Sequence, residues 1–412
     1  MQGPSPDKRK GFAPALRSDA SSAPMRILYS HRTKSADGQY VHIRALTEAL
    51  AARGHGVFMA GPDDFGELRP RALDPAAGAG GLREALPRPI HEMAEFAYSA
   101  PSYLRLRKAA RLSSPDILYE RYNLFHHSGA LLARERRLPF LLEVNAPLAE
   151  ERAEHGGLAL ASLARWSERS IWSAADRVLP VSRVLARRIE AAGVPPEKIV
   201  VVPNGVEAAF LAETDPGPVR ERYGLAGKTV LGFTGFVRSW HGVDRIVRYI
   251  AERPAANLHL LLVGDGDGDA RRDLELLARA LGVAGKLTVT GTVQREAAPA
   301  HVAAFDIALQ PAVTPYASPL KLFEYMALAK PIVAPASENI REALIGGETA
   351  LLFDPGDEAG LFRALDRLVS EPDLRRRLGD AARASLLKQD LTWAGDAARI
   401  ERIAADLIES RR

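Results

Sequence analysis

The sequence has no cysteine among its 412 residues. That excludes disulfides and thiolate metal sites, and it fits a reducing compartment. No run of about 18 apolar residues is present, the length a membrane-spanning helix needs. The longest apolar runs, such as Leu258–Val263, are only as long as a buried strand. The apolar core of a signal peptide is missing too. Residues 1–24 are rich in proline, serine and charge and read as a disordered tail, or as a start placed upstream of Met25. No module or aromatic-basic strand of the kind that reads RNA appears, so nucleic acid is not an expected partner. No persuasive cluster of metal ligands is present, so no metal and no cofactor are expected.

What is there is long enough for two cores. Hydrophobic residues make up 47% and charged residues 26%, an ordinary soluble balance. Net charge is +4, with the excess of cations in the first half, a mild bias toward anionic surfaces or substrates. From Met25 onward, short apolar strands alternate with amphipathic helices, the order that builds parallel sheets. The strands of the first half are MRILYS, residues 56–60, DILYERY, PFLLEVN, RVLPVS and KIVVVPNGV. Residues 207–226 have a linker's proline, glycine and charge. The alternation restarts with KTVLGFTGF at residue 228. The expected organisation is therefore a domain over 25–206, a linker over 207–226, a second domain over 227–390, and a terminal segment over 391–412 with a last helix that can pack back on the first domain. Both domains read as α/β, Rossmann-like and doubly wound. Ligands of such sheets bind beyond the carboxyl ends of the strands, which points to the cleft between the two halves.

Two stretches at those ends carry chemistry. SPLKLFEYMA (318–327) reads as a capped helix start, with Ser318 at the N-cap and Pro319 in the first position. The N–H groups of Leu320 and Lys321 would face an anion. Lys321 sits where the helix dipole disfavours a cation, a cost a bound anion offsets. Glu324, one turn on, can accept two ribose hydroxyls, or can form an ion pair with Lys321. In FTGFVRSWHGVDRI (233–246), Gly235 allows close backbone approach, and Arg238 and His241 stand in the following loop as phosphate ligands. Glu143 and Asn145 end another strand and are read as contacts to acceptor or donor sugar. VGDGDGDARRD (263–273) imitates a calcium loop through Asp265, Asp267 and Asp269. Ala270 and Leu276 stand where that loop needs glycine and glutamate, so it reads as a plain turn. Residues 96–111 mix aromatics with cations and read either as a solvated amphipathic helix or as a surface that lies on an anionic membrane.

Taken in order, these pieces resemble the GT-B-fold glycosyltransferases of family 4, retaining enzymes that use nucleotide sugars. The resemblance runs from the Gly38 loop and ARGHGV through VSRVLARRI, VVPNGV, FTGFVRSWHGVD, LLVGDGD, VTGTV and SPLKLFEYMALAKPIVA to TALLFDPGD. ILYSHRTKSADGQYVHI and LLEVNAP are similar to the bacterial branch that builds surface polysaccharides. The resemblance implies a nucleoside-diphosphate-sugar donor, with UDP favoured over GDP, and a saccharide or lipid-linked acceptor. It implies a cytoplasmic protein that can touch the inner face of the membrane. It assigns Glu324 to the ribose, Arg238, His241 and Lys321 to the diphosphate, Gly38 to the loop facing it, and Gly291 and Val293 to the base.

The family's E-x7-E pair is broken, because Tyr316 stands where the first glutamate is expected, and His241 replaces a lysine. In the mechanism the resemblance implies, the leaving diphosphate helps to deprotonate the acceptor on the same face, with no metal. Two other functions compete: a sugar epimerase of the same fold, and a non-catalytic nucleotide-sugar-binding partner subunit.

Overall fold

The computed structural model describes residues 23–33, 38–61, 87–154, 156–266 and 268–411. Two parallel sheets follow one another along the chain. The first contains β1 (Arg26–Ser30), β2 (Gly56–Ala60), β3 (Ile117–Arg121), β4 (Phe140–Val144) and β5 (Arg177–Pro180), in the order β2-β1-β3-β4-β5. The second contains β6 (Thr229–Thr234), β7 (Leu258–Val263), β8 (Leu287–Val289), β9 (Ile307–Leu309), β10 (Ile332–Pro335) and β11 (Leu351–Phe353), in the order β11-β10-β9-β6-β7-β8. Every residue of β3, β4 and β7 is buried. Strands covered on both faces have no polar side to show, which is why they read as apolar runs. The strand order reverses between β1 and β3 in the first sheet and between β9 and β6 in the second. Crevices beyond such reversals are where open α/β sheets take ligands. The architecture is two Rossmann-like domains, as the alternation predicts.

Three expectations change. The segment Lys198–Val206 is not a strand: Val200 and Val202 donate to the carbonyls of Val178 and Pro180 in β5, but Pro203 has no N–H to continue the ladder. The alternation predicts a long helix over about 156–173, and the helix there starts later, at Ala161–Ala174, after Gly156-Gly157, where Gly156 takes φ 69°. Residues 207–226 are not a free linker. Phe210, Val219 and Leu225 are buried in one core cluster with Val230 and Phe305, so this stretch belongs to the second domain.

The chain crosses between domains twice, and the crossings touch. Val206 N–H donates to Leu391, and Trp393 N–H donates to Val206. Gly205 is required there, because a Cβ would stand 2.4 Å from the Thr392 carbonyl carbon. The last helix, Trp393–Glu409, then lies on the first domain. Trp393, Ala397 and Ile400 share a core cluster with Ile27, Ile43 and Leu46.

Candidate active site

β6 ends at Thr234, and the chain turns at Gly235 with φ 113°. Beside it, Gly264 follows β7 with φ 132°, and a Cβ there would stand 2.5 Å from the Gly235 carbonyl oxygen. Gly291 follows β8 with φ 71° and bridges to Gly264. Three neighbouring strand ends are thus bare backbone, shaped to let a ligand approach closely. Val293, two residues beyond Gly291, packs on the second domain's core.

Over this surface the structure gathers three polar side chains. The Lys321 ammonium lies 3.8 Å from the centre of the Phe233 ring and 3.6 Å from where a Gly235 Cβ would be. Burial pushes its pKa down to about 7, with Glu324 opposing. The Arg238 guanidinium is exposed between Phe236 (5.5 Å) and Trp240 (4.9 Å). Among the described residues, neither cation has an acidic partner. His241 accepts the Arg238 N–H on Nδ1 at 3.1 Å. Burial pushes its pKa down to about 3, helped by the charges of Lys321 and Arg238. The imidazole is therefore neutral, with its proton on Nε2. His241 offers a hydrogen-bond donor, while Lys321 and Arg238 supply the charge. Lys321 and His241 both lie against the Phe233 ring beside Gly235, with Arg238 in the loop of His241, an arrangement that suits a phosphate group.

The helix that carries Lys321 is Leu320–Ala327, and Pro319, not Ser318, occupies its N-cap position, with no side-chain cap. Ser318 serves through its carbonyl, which accepts Asn204 Nδ2 of the first domain at 2.7 Å. The N–H groups of Leu320 and Lys321 remain at the helix head, where no intrahelical acceptor exists. Leu320 itself packs against the first domain's core. Glu324 is buried and does not pair with Lys321; its Oε1 accepts Arg295 Nη1 at 2.8 Å.

The first domain's strand end behaves differently. Glu143, expected to face sugar, is buried beneath the crevice. Its carboxylate accepts hydrogen bonds from His42 (3.0 Å), Tyr119 (2.8 Å), Arg121 and Asn145. Burial would raise its pKa, but His42, Arg121 and these donors together hold it well below the usual carboxylate range. Burial pushes the His42 pKa down, with Glu143 opposing. Asn145 spends its amide on the same carboxylate. Tyr316, expected like Glu143 and Asn145 to contact acceptor or sugar, meets the first domain instead. Its carbonyl accepts Ser182 Oγ at 2.9 Å, its ring lies 5.2 Å from the Arg188 guanidinium, and its hydroxyl bonds Glu151. All three partners belong to the first domain, so Tyr316 fastens the domains together. Gly38 opens the helix Gly38–Ala52 after β1, is exposed, and has open space where a Cβ would be. The preceding residues 34–37, Asp267 of the false calcium loop, and residues 1–22 of the expected tail lie outside the described residues. Asp265 accepts from Gly266 N–H and from Arg271, as a turn residue does. Among the described residues, no group of three or more histidine, aspartate or glutamate side chains could hold a metal.

Comparison with known proteins bears on the family and the fold. Residues 36–210 match the model for Glycosyltransferase Family 4, and residues 228–371 match that for Glycosyl transferases group 1. The chain belongs to the two-domain GT-B glycosyltransferases. The glycosyltransferase is 28% identical to a D-inositol 3-phosphate glycosyltransferase of Acidothermus cellulolyticus, over 92% of this chain and 87% of that one. It is 27% identical to an alpha-D-kanosaminyltransferase of Streptomyces kanamyceticus, over 57% of this chain and 62% of that one. Its fold matches that of Anabaena HepE, solved in complex with UDP, with a TM-score of 0.72 at 16% identity, over 93% of this chain and 100% of that one.

Arg295 and Glu207 were not singled out in the sequence. The signal was available: Arg295 is a lone cation four residues beyond Gly291, and Glu207 follows the PNGV stretch.

Proposed function

We propose that this glycosyltransferase moves a sugar, with retention of anomeric configuration, from a nucleoside diphosphate to an acceptor hydroxyl. The observation that carries this reading is the placement of Lys321 and neutral His241 against Phe233 at the glycine-lined end of β6, with Arg238 in the same loop as His241. A diphosphate placed there meets two cations without acidic partners and one N–H donor. Charge building on the leaving oxygen would be stabilised by groups already in place, which lowers the barrier without a metal. Glu324 then takes the ribose, and the backbone at Gly291 and Val293 takes the base. The diphosphate, released on the face where the acceptor arrives, accepts the acceptor's proton.

UDP is the favoured nucleotide, supported by the UDP complex of the structural neighbour HepE. For the acceptor, a saccharide or lipid-linked glycan of a bacterial surface polysaccharide is one reading. A second is a small cyclitol or aminocyclitol, favoured by the names of the inositol-phosphate and kanosaminyl relatives. The first reading includes contact with the inner face of an anionic membrane. Exposed Leu104 and Leu112 beside Arg105, Lys108 and Arg111 on the helix Ser99–Ser113 support that contact. Vesicle flotation tests it: enrichment on anionic over neutral lipid is expected, and equal recovery removes it. Among the described residues, no helix is long and apolar enough to cross a membrane.

Thermal shift against UDP-, GDP- and dTDP-sugars in EDTA tests the donor assignment. Stabilisation by one nucleotide class, together with slow hydrolysis of that donor, is the expected outcome. Binding without hydrolysis or transfer would favour the non-catalytic partner, and a product inverted at sugar carbon two would favour the epimerase.

A further inference from the structure

Glu324 is held by a device that spans three parts of the chain. Arg295 opens the short turn Arg295–Ala297, in the loop that also carries Gly291 and Val293. Its Nε donates to both carboxylate oxygens of Glu207, at 3.0 and 3.1 Å. Its Nη1 donates to Glu324 Oε1 at 2.8 Å. The guanidinium also lies 4.9 Å from the centre of the Phe210 ring. A planar group bonded to two carboxylates and faced by a ring has its orientation fixed, and it fixes theirs.

We infer that Arg295 is a positioning residue that aims Glu324 at the ribose hydroxyls of the donor nucleotide, anchored through Glu207 beside the interdomain crossing. The inference rests on the assignment of Glu324 to the ribose. Glu324 is the most enclosed of the three, with 8% side-chain exposure against 25% for Glu207 and 29% for Arg295. Among the described residues, Oε2 of Glu324 accepts no hydrogen bond, so one oxygen is taken by the anchor and the other is left to a ligand. Without the guanidinium, two carboxylates would share a poorly hydrated space, and one would turn away or take up a proton. Glu207 follows Val206, where the two crossings pair, so the ribose contact is tied to the segment about which the domains would move.

The consequence is specificity for a ribose. Hydrogen bonds to an aimed, ionised carboxylate contribute roughly tenfold to a hundredfold in affinity, and a loose one contributes little. The test is calorimetric binding of UDP and GDP and of their 2′,3′-dideoxy forms to the full chain. For wild type, the ribonucleotide is expected to bind about tenfold to a hundredfold tighter than its dideoxy form. In Arg295→Ala this ratio is expected to fall to within about threefold, with the dideoxy affinity unchanged.

Arg295→Lys serves where the alanine variant does not fold. It keeps a charge between the carboxylates, loses the fork, and is expected to fold with an intermediate ratio. A wild-type ratio in the folded variants overturns the inference even though nucleotide still binds. No nucleotide binding to wild type, or a ratio unchanged by Glu324→Ala, overturns the assignment beneath it instead.

Discussion

At the end of β4, the carboxylate of Glu143 collects donors from His42, Tyr119, Arg121 and Asn145. At the end of β6 and the head of Leu320–Ala327, Arg238 and Lys321 face the crevice with no acidic partner among the described residues. Both places lie beyond a parallel sheet, and both hold charged side chains. In the first domain the charges satisfy one another, and the cluster fixes how β4, β3 and the helix Gly38–Ala52 meet. In the second domain the charge is left uncompensated, which is costly unless a ligand completes it. A charged residue at a strand end therefore does not mark a binding site. An uncompensated one over bare backbone is the better candidate.

The comparison can be broken in several places. Glu143→Gln should cost about 3–5 kcal/mol of stability, because Arg121 loses its counter-charge in a buried site. Urea unfolding reads this, with turnover per folded molecule retained. Loss of turnover at full stability would make Glu143 a site residue after all. The sign of the pH dependence follows from the lowered pKa. The folded state holds the proton less tightly than the unfolded one, so the Glu143 contribution is intact above the ordinary glutamate value of about 4.3. It is lost as pH falls below that value, and Glu143→Gln lacks this acid-side slope.

Arg238→Ala should lower kcat by about a hundredfold to a thousandfold with no change in stability, the scale of one lost donor to developing charge. Steady-state kinetics at saturating donor reads this, and an unchanged kcat would return Arg238 to the solvated surface. Glu324→Ala should raise the Kd for UDP or GDP by roughly tenfold to a hundredfold, read by calorimetry.

Lys321 sharpens the contrast through pH. With its pKa near 7, it is about half protonated in the free protein at neutral pH. A bound diphosphate favours the charged form, so wild type takes up a proton on binding. Its affinity falls as pH rises above 7, relative to Lys321→Met. Calorimetry in buffers of different ionisation enthalpy reads the difference, and identical pH profiles would contradict it. The smallest effect belongs to Tyr316→Phe. Losing the hydroxyl bond to Glu151 should cost about 1 kcal/mol or less in urea unfolding and leave turnover unchanged. A large loss of kcat would place Tyr316 at the sugar.

The sheets were legible because strands buried on both faces leave continuous apolar runs, and because glycines at the ends of β6, β7 and β8 are needed whatever the neighbours are. The positions of Lys321 and Arg238 were legible for the same reason, since each is set by local geometry at a helix head and a strand turn. Glu143 and Glu324 could not be told apart in the sequence. Each is a glutamate beyond a sheet, and what separates them is a partner far away in the chain, His42 and Arg121 for one and Arg295 for the other. The contacts of Tyr316 were not legible because its partners, Ser182, Arg188 and Glu151, come from the other domain. The neutral state of His241 was not legible, because the two neighbouring cations and the burial that keep it so are tertiary facts. The stretch 207–226 looked like a linker by composition, yet three apolar side chains, Phe210, Val219 and Leu225, are enough to fold it onto the second domain.

The most direct test is a crystal structure of the full chain with UDP or GDP, grown in EDTA. The account predicts the diphosphate within hydrogen-bond distance of Arg238, Lys321 and His241 Nε2, above Gly235, with the ribose on Glu324. A diphosphate bound beyond the first domain's sheet, or a ribose turned away from Glu324 while Arg238 and Lys321 remain unpaired, would contradict it.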